Sequence, residues 1–332
     1  MREADIRPAD LFNQYLELCR EDAARFFADT SQFMQVPCPA CGAERSEFGL
    51  EKSGFRYDVC ADCGSLYANP RPRPAAIADY YQNSAAVAFW STHFFRQTAE
   101  ARRVRMFRPR AHLVAEWADR LGLSAEARFA DIGAGYGIFL EEVAALGRFA
   151  TVTGVEPAPN LAAICRDKGF AIIEAPAEAI PPGAIDAGFA TCFEVLEHVH
   201  DPLGFLTGVA RALAPGAVLM ATTLTVTGFD IQVLWQHSKS VQPPQHINLM
   251  SVDGLARLAE RAGLSVLDLS TPGELDVDIV RNMLNESPDL PVDRFVRALA
   301  LNASDAARRD FQALLKTHRL SSHLRMILRK PG

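Results

Sequence analysis

Asp131-Ile132-Gly133-Ala134-Gly135-Tyr136-Gly137 closes an apolar run that starts at Arg128-Phe129 and opens a helical pattern that continues to Leu146. A strand therefore runs into a glycine-rich turn and then into a helix. Glycines there let the backbone pass close to a ligand, and the helix N-terminus offers free N–H groups. The next apolar run, Thr151-Val152-Thr153-Gly154-Val155, ends in Glu156. An acid at that place is suited to gripping ribose hydroxyls.

Outward from the turn, strand and helix patterns alternate from about 126 to 271. A helix through Lys168 follows the second strand. Ala171–Ala175 reads as a third strand and Ile185–Phe193 as a fourth. A helix starts near Pro202, a residue suited to a first helical turn. A fifth strand covers 217–223, a capped helix runs from Ser251 to Ala262, and another strand covers 264–270. Such alternation predicts a mostly parallel sheet covered by helices. Residues 1–36 read as one or two helices, with Leu11, Tyr15, Leu16 and Leu18 partly on one face. The run Asn69–Pro74 is proline-rich and ends a module at 37–75. Residues 76–122 read as a helical linker. The expected units are thus 1–36, 37–75, 76–122, 123–272 and a helical extension over 273–332.

The glycines are spaced GxGxG rather than the GxGxxG of dinucleotide sites. Asp131 stands before the first of them, where a carboxylate would repel a pyrophosphate but suit an ammonium group. The alternative reading is a tight turn without a ligand. Together with Gly154-Val155-Glu156-Pro157, the run from Ile185 through Pro202 and the run Leu213–Thr223, this segment resembles the ordered motifs of class I S-adenosylmethionine (SAM) dependent methyltransferases. The resemblance implies a Rossmann-like, doubly wound α/β sheet. It also implies that Asp131, Gly133, Gly135 and Gly137 form the turn against the methionyl end of SAM, and that Glu156 binds its ribose. Ala177 and Glu178 match the stretch that flanks the adenine, although the Asp common there is missing. Phe193 and Glu194 end the fourth strand beside the expected cleft. Phe193 reads equally as a core aromatic.

Cys38-Pro-Ala-Cys41 and Cys60-Ala-Asp-Cys63 enclose 18 residues. Two CxxC knuckles, each followed by glycine, supply four thiolates for a closed tetrahedral zinc site, which makes the metal structural. Around them, Arg45, Lys52, Arg56, Arg71 and Arg73 balance Glu44, Glu47, Glu51, Asp58 and Asp62, whereas a ribbon that grips RNA is normally more basic. The ribbon, the proline run and the core together resemble sugar C-methyltransferases and relatives associated with polysaccharide biosynthesis. That implies a small-molecule acceptor, a nucleotide-linked sugar.

Two histidines are candidate general bases, the natural role of imidazole near neutral pH. His198 lies in Glu194-Val195-Leu196-Glu197-His198 just after the fourth strand. His246 lies in the loop before Ser251, near where the sugar C-methyltransferases carry a histidine after an acidic residue; here Gln245 precedes it. A loop anchor is the alternative for His246, and a structural hydrogen bond the alternative for His198. Glu194, Glu197 and His198 also stand at i, i+3 and i+4, which on a helical turn would share a face and could hold a divalent ion. Ubiquinone-pathway O-methyltransferases show a similar string. The aromatics Tyr80, Tyr81, Phe89, Trp90, Phe94 and Phe95 read as a pocket wall or as core. The arginines from Arg96 to Arg110 read as a diphosphate grip or as a solvated helix face.

The 332 residues carry a net charge of −6 with 49% hydrophobic and 22% charged residues, the balance of a globular chain. No long apolar run is present, so no membrane-spanning helix is expected. The N-terminus lacks a secretory pattern, which predicts the cytoplasm. Neither nucleic-acid nor membrane binding is expected from the overall charge.

Overall fold

The computed structural model describes residues 3–332. Helices α1 (Glu3–Ile6) and α2 (Ala9–Phe27) come first. α2 buries Phe12, Tyr15, Cys19, Ala23 and Phe27, a stripe at helical spacing. Leu11, Leu16 and Leu18 lie at its margins, half-buried. The stripe is centred beside them because α2 packs on aromatic side chains, with Tyr15 only 4.7 Å from Trp90.

Strands β1 (Ser46–Lys52), β2 (Phe55–Cys60) and β3 (Leu66–Ala68) form an antiparallel ribbon. Next come helices α3 (Pro74–Asn83), α4 (Ala85–Phe89), α5 (Phe95–Arg102) and α6 (Arg108–Arg120). Two π-helical turns, Trp90–Phe94 and Arg103–Phe107, join the last three. Such wide turns rotate the side chains that follow and often mark functional segments.

The core alternates as the sequence predicts. β4 (Arg128–Ile132), α7 (Ile138–Ala145), β5 (Thr151–Val155), α8 (Pro159–Asp167) and β6 (Ala171–Ile173) build one half. β7 (Phe189–Phe193), α9 (Pro202–Ala212), β8 (Val218–Leu224) and α10 (Phe229–Leu234) begin the other. A short strand β9 (Asn248–Leu249) precedes α11 (Val252–Arg261), whose N-cap is Ser251, and β10 (Ser265–Ser270). Along β4, Phe129 faces one side of the sheet with α6 and α7, while Ala130 faces the other with α9 and α11. This is the two-residue alternation of a strand covered on both faces.

The sheet order is β10-β11-β8-β7-β4-β5-β6, parallel from β8 through β6. After β6 the chain crosses to the opposite side of β4 to form β7. That reversal opens a crevice at the carboxyl ends of β4 and β7, where doubly wound sheets bind ligands.

One finding departs from the sequence reading. Residues 273–332 are not only helical: α12 (Asp276–Glu286), α13 (Arg294–Leu301) and α14 (Asp305–Thr317) lead to β11 (His323–Arg329). β11 runs antiparallel between β8 and β10 and joins them. Leu324, Met326, Ile327 and Leu328 are all fully buried there, which explains the apolar run that a helical reading absorbed. The ribbon is tied to the core by contacts distant in sequence. β3 pairs with β9, far along the chain. Arg71, only 1% exposed, donates from Nη1 to the His200 carbonyl at 2.9 Å and from Nη2 to Asn248 Oδ1 at 3.1 Å. Ser251, besides capping α11, donates to the Cys63 carbonyl.

Because β11 pairs with one edge of β8 and one of β10, and so joins β10 to the sheet, a chain ending at residue 272 should fail to form a cooperative core. Thermal unfolding followed by near-UV circular dichroism should show no sharp transition. A fragment that melts cooperatively like the full chain would contradict this topology.

Candidate active site and cysteine cluster

Gly133, Gly135 and Gly137 all take positive φ, at 85°, 54° and 69°, a region that costs other residues a clash at Cβ. The turn is pinned twice. Gly133 and Ala134 both donate to the Val155 carbonyl, at 2.8 and 3.1 Å. Glu156 Oε2 accepts from Gly135 N–H at 2.8 Å and its Oε1 from Ala158 N–H at 2.9 Å. Each oxygen keeps a second acceptor position. Burial raises the Glu156 carboxyl above its ordinary range. Asp131 is 4% exposed and accepts from Thr191 Oγ1 at 2.6 Å. Burial pushes its carboxyl up to about 7. An acid held this close to neutrality is poised to ionise when a cation arrives.

Ala177 is buried and Glu178 exposed on a short 3-10 turn after β6. α9 approaches that turn through Gly208, where a Cβ would lie 2.8 Å from Glu178 Cα. Phe193 sets its ring edge-on to Phe139 at 5.0 Å, and the Arg110 guanidinium lies over it at 5.0 Å. Tyr136 of the glycine turn stacks on Phe95 at 4.5 Å and donates to the Ser91 carbonyl at 2.6 Å. The helical segment over 85–107 therefore lies against the turn.

The segment after β7 is an irregular turn, so Glu194, Glu197 and His198 do not share a helical face as the sequence suggested. Glu194 is drawn elsewhere, into an ion cluster with Arg110 at 3.0 Å, His323 Nε2 at 2.8 Å and Thr222 Oγ1 at 2.7 Å. Against the cost of burial, His323 and Arg110 hold its carboxyl well below the ordinary range. The structure instead gathers Glu197, His198 and His246, whose ligand atoms all lie within 4.8 Å of one another. The two histidine rings meet edge to face at 4.8 Å. His246 Nδ1 lies 2.7 Å from the Ser240 carbonyl, so Nδ1 carries the proton and Nε2 keeps its lone pair. His198 Nδ1 is 3.3 Å from the Tyr81 hydroxyl. Burial pushes His246 down to about 4 and His198 to about 3, so both rings are neutral at pH 7. Glu197, 1% exposed, accepts from Thr223 Oγ1 at 2.7 Å, and burial with the Glu194 charge pushes it up to about 8.

Of the candidate pocket aromatics, Tyr80 and Phe94 are fully buried core, whereas Tyr81 reaches His198. Arg110, His323, Thr191, Thr222 and Ser240 were not singled out from the sequence. Only Arg110 carried a signal, as part of a basic stretch.

Cys38, Cys41, Cys60 and Cys63 converge. Sγ separations are 3.6 Å for Cys38–Cys63 and 3.5 Å for Cys41–Cys60, and all four lie within 4.8 Å. Zinc–sulfur bonds of about 2.3 Å in a tetrahedron require sulfurs about 3.8 Å apart, so the donor set fits the ion. The knuckles match: Gly42 N–H reaches the Cys38 carbonyl at 2.8 Å, and Gly64 N–H reaches that of Cys60 at 2.9 Å.

The strand order, the glycine turn and the acids at two adjacent strand ends define a class I SAM-dependent methyltransferase fold. The profile of the methyltransferase-domain family matches residues 102–269, a little over half of the chain, and the chain belongs to that family. A ubiquinone biosynthesis O-methyltransferase from Xanthomonas campestris pv. campestris (strain B100) is 39% identical over 111 residues, covering 30% of this chain and 44% of that protein. The chain thus spans less than half the length of that curated relative. Among solved structures, the cyclopropane synthase MmaA2 from Mycobacterium tuberculosis is similar over 67% of this chain and 83% of its own, at 18% identity and a TM-score of 0.43. SAM-bound CalS10, an amino pentose methyltransferase from Micromonospora echinaspora, is similar over 38% of this chain and 54% of its own, at 27% identity and a TM-score of 0.33.

Elemental analysis should find one zinc per chain. Cys60→Ser should lose the metal and unfold the ribbon, since binding energy there is largely folding energy. Metal-free protein that keeps a folded ribbon in reducing buffer would contradict the assignment.

Proposed function

We propose that the chain is a SAM-dependent methyltransferase of a small molecule, and that the acceptor is a sugar, nucleotide-linked as in the enzymes its sequence resembles. The carrying observation is the pairing of two half-sites across one crevice. Asp131 and Glu156 flank the glycine turn, and a His246 ring with a free Nε2 lone pair stands with His198 and Tyr81 beyond β7. The structural zinc at Cys38, Cys41, Cys60 and Cys63 takes no part in the chemistry, because four thiolates leave it no open position.

SAM, when bound, supplies a methyl group activated on a sulfonium. Asp131 pairs with the ammonium of its methionyl group, and the backbone of Gly133, Gly135 and Gly137 lines that end. Glu156 uses its remaining acceptor positions for the ribose hydroxyls, and Ala177 and Glu178 flank the adenine. Phe193 and Glu194 border the cleft. His246 Nε2 takes the proton that the acceptor loses as it attacks, and the Ser240 carbonyl fixes the tautomer that makes this possible. His198 and Tyr81 orient the acceptor beside it.

A second reading is a metal-assisted O-methyltransferase of the ubiquinone-pathway type. It is favoured by the convergence of Glu197, His198 and His246 and by the curated relative. There a divalent ion would sit on those three donors, and turnover would vanish with chelator. An RNA methyltransferase that reads through its ribbon is disfavoured by the ribbon's balanced charge.

Two outcomes test the main reading. Only the ionised Asp131 carboxylate attracts the ammonium, so SAM should bind about tenfold more weakly at pH 6 than at pH 8, as the ionised fraction of a group near 7 falls. Asp131→Asn should weaken binding and flatten that profile; calorimetric titration measures both, and an unchanged profile would remove Asp131 from the site. His246→Ala should leave SAM affinity unchanged while lowering turnover by on the order of 10²–10⁴. Loss of SAM binding in that variant would make His246 a loop anchor.

A further inference from the structure

Helix α11 belongs to the methyltransferase core, yet both of its ends reach the cysteine cluster. At its start, the N-cap Ser251 accepts at Oγ from Gly254 N–H at 2.8 Å and donates from Oγ to the Cys63 carbonyl. At its other end, Arg261 donates from Nη1 to the Ala40 carbonyl at 2.7 Å, between Cys38 and Cys41. Between them, Leu255, Leu258 and Ala259 share one buried cluster with Cys38, Cys60 and Cys63. One core helix thus braces both knuckles.

Four thiolates around one zinc ion carry a net charge of about −2, and a buried charge needs hydrogen bonds or a counter-charge. Ser65 stands where it can supply one. It is fully buried, and its Oγ lies 3.2 Å from Cys63 Sγ, 3.0 Å from Ser251 N and 3.4 Å from Ser251 Oγ. The available protons fix the direction of each bond. A metal-bound Cys63 has no proton to give. The Ser251 amide can only donate, so Ser65 Oγ accepts from it. Ser251 Oγ spends its own proton on the Cys63 carbonyl and already accepts from Gly254. The one proton of Ser65 therefore goes to the Cys63 sulfur, which is both the nearer acceptor and the charged one. The fit is close: a Cβ on Gly254 would lie 2.3 Å from Ser65 Oγ, so glycine there leaves room for the hydroxyl.

We infer that Ser65 is a positioning residue of the metal centre. Its hydroxyl, held in place by the Ser251 amide, donates to the Cys63 thiolate, and through that bond the core sets how tightly the ribbon holds zinc. The inference rests on the reading of the four cysteines as a zinc site. It makes the metal affinity of the ribbon depend on Gly254, a residue of the core far from any knuckle in sequence.

The test loads the full chain with cobalt(II), whose sulfur-to-metal charge-transfer band reports on the sulfur electrons, and measures zinc affinity by competition with a chromophoric chelator. Losing a hydrogen bond raises the energy of the sulfur lone pairs. Ser65→Ala should therefore move the band to longer wavelength and weaken zinc binding about 10–100-fold, the usual effect of removing an outer partner of a metal ligand. Gly254→Ala keeps the hydroxyl but crowds it off the sulfur, and should shift the band in the same direction. Ser251→Ala keeps its amide on Ser65; it should lower the Tm through the lost cap and leave the band in place. Should Ser65→Ala fail to fold, Gly254→Ala against Ser251→Ala carries the comparison. An unshifted band in Ser65→Ala or Gly254→Ala would overturn the inference. So would weaker zinc binding without a shift, which would make Ser65 a packing residue. A wild-type chain that takes up no cobalt at its cysteines would instead remove the zinc reading itself, and the inference with it.

Discussion

The Glu156 carboxylate holds the glycine turn to the strand beside it. One oxygen takes Gly135 N–H and the other takes Ala158 N–H, so the ends of β4 and β5 are locked at a fixed separation. Three glycines at positive φ make the turn possible, but on their own they would leave it flexible, since glycine loses the most conformational freedom on folding. The clamp removes that freedom. It also sets Asp131 and Glu156 on either side of the turn, so that the proposed cofactor would meet one acid at its ammonium and the other at its ribose. The other features of the site are arranged around that fixed edge.

The opposite wall of the crevice is assembled from parts distant in sequence. β9 brings His246 beside His198 by pairing with the ribbon strand β3. Arg71 ties the same region to the His200 carbonyl and to Asn248. The ribbon therefore does structural work for the site: its cysteines are buried in the same apolar cluster as α9 and α11. Removing an arginine that satisfies several buried acceptors costs about 1–3 kcal/mol for each one left unpaired. A zinc that folds the ribbon would in this way reach the proposed base without touching the acceptor.

The parts legible in the sequence are those whose chemistry is local. The glycine turn, Glu156 and the two CxxC knuckles each occupy a few consecutive residues, and β4 through β8 show their apolar period directly. β11 was hidden because its partners, β8 and β10, precede it by many residues, and an apolar segment near helices reads as another helix. The alternative that grouped Glu194 with Glu197 and His198 on a helical turn fails for a related reason. The helical spacing of Glu194 to His198 was real in sequence, but Arg110 and His323, from elements on either side of the core, captured its carboxylate. The two π-helical turns inside the basic stretch are likewise not announced by residue spacing.

The cofactor's identity is the claim on which the rest of the functional account stands. Asp131 sits where a dinucleotide site needs its pyrophosphate, so charge alone separates the two cofactor classes. Calorimetric titration of the zinc-loaded chain with SAM, alone and in an excess of NAD, reads this out directly. The account predicts one SAM per chain, displaced by S-adenosylhomocysteine and undisturbed by NAD. Absence of SAM binding, or its displacement by NAD, would contradict it.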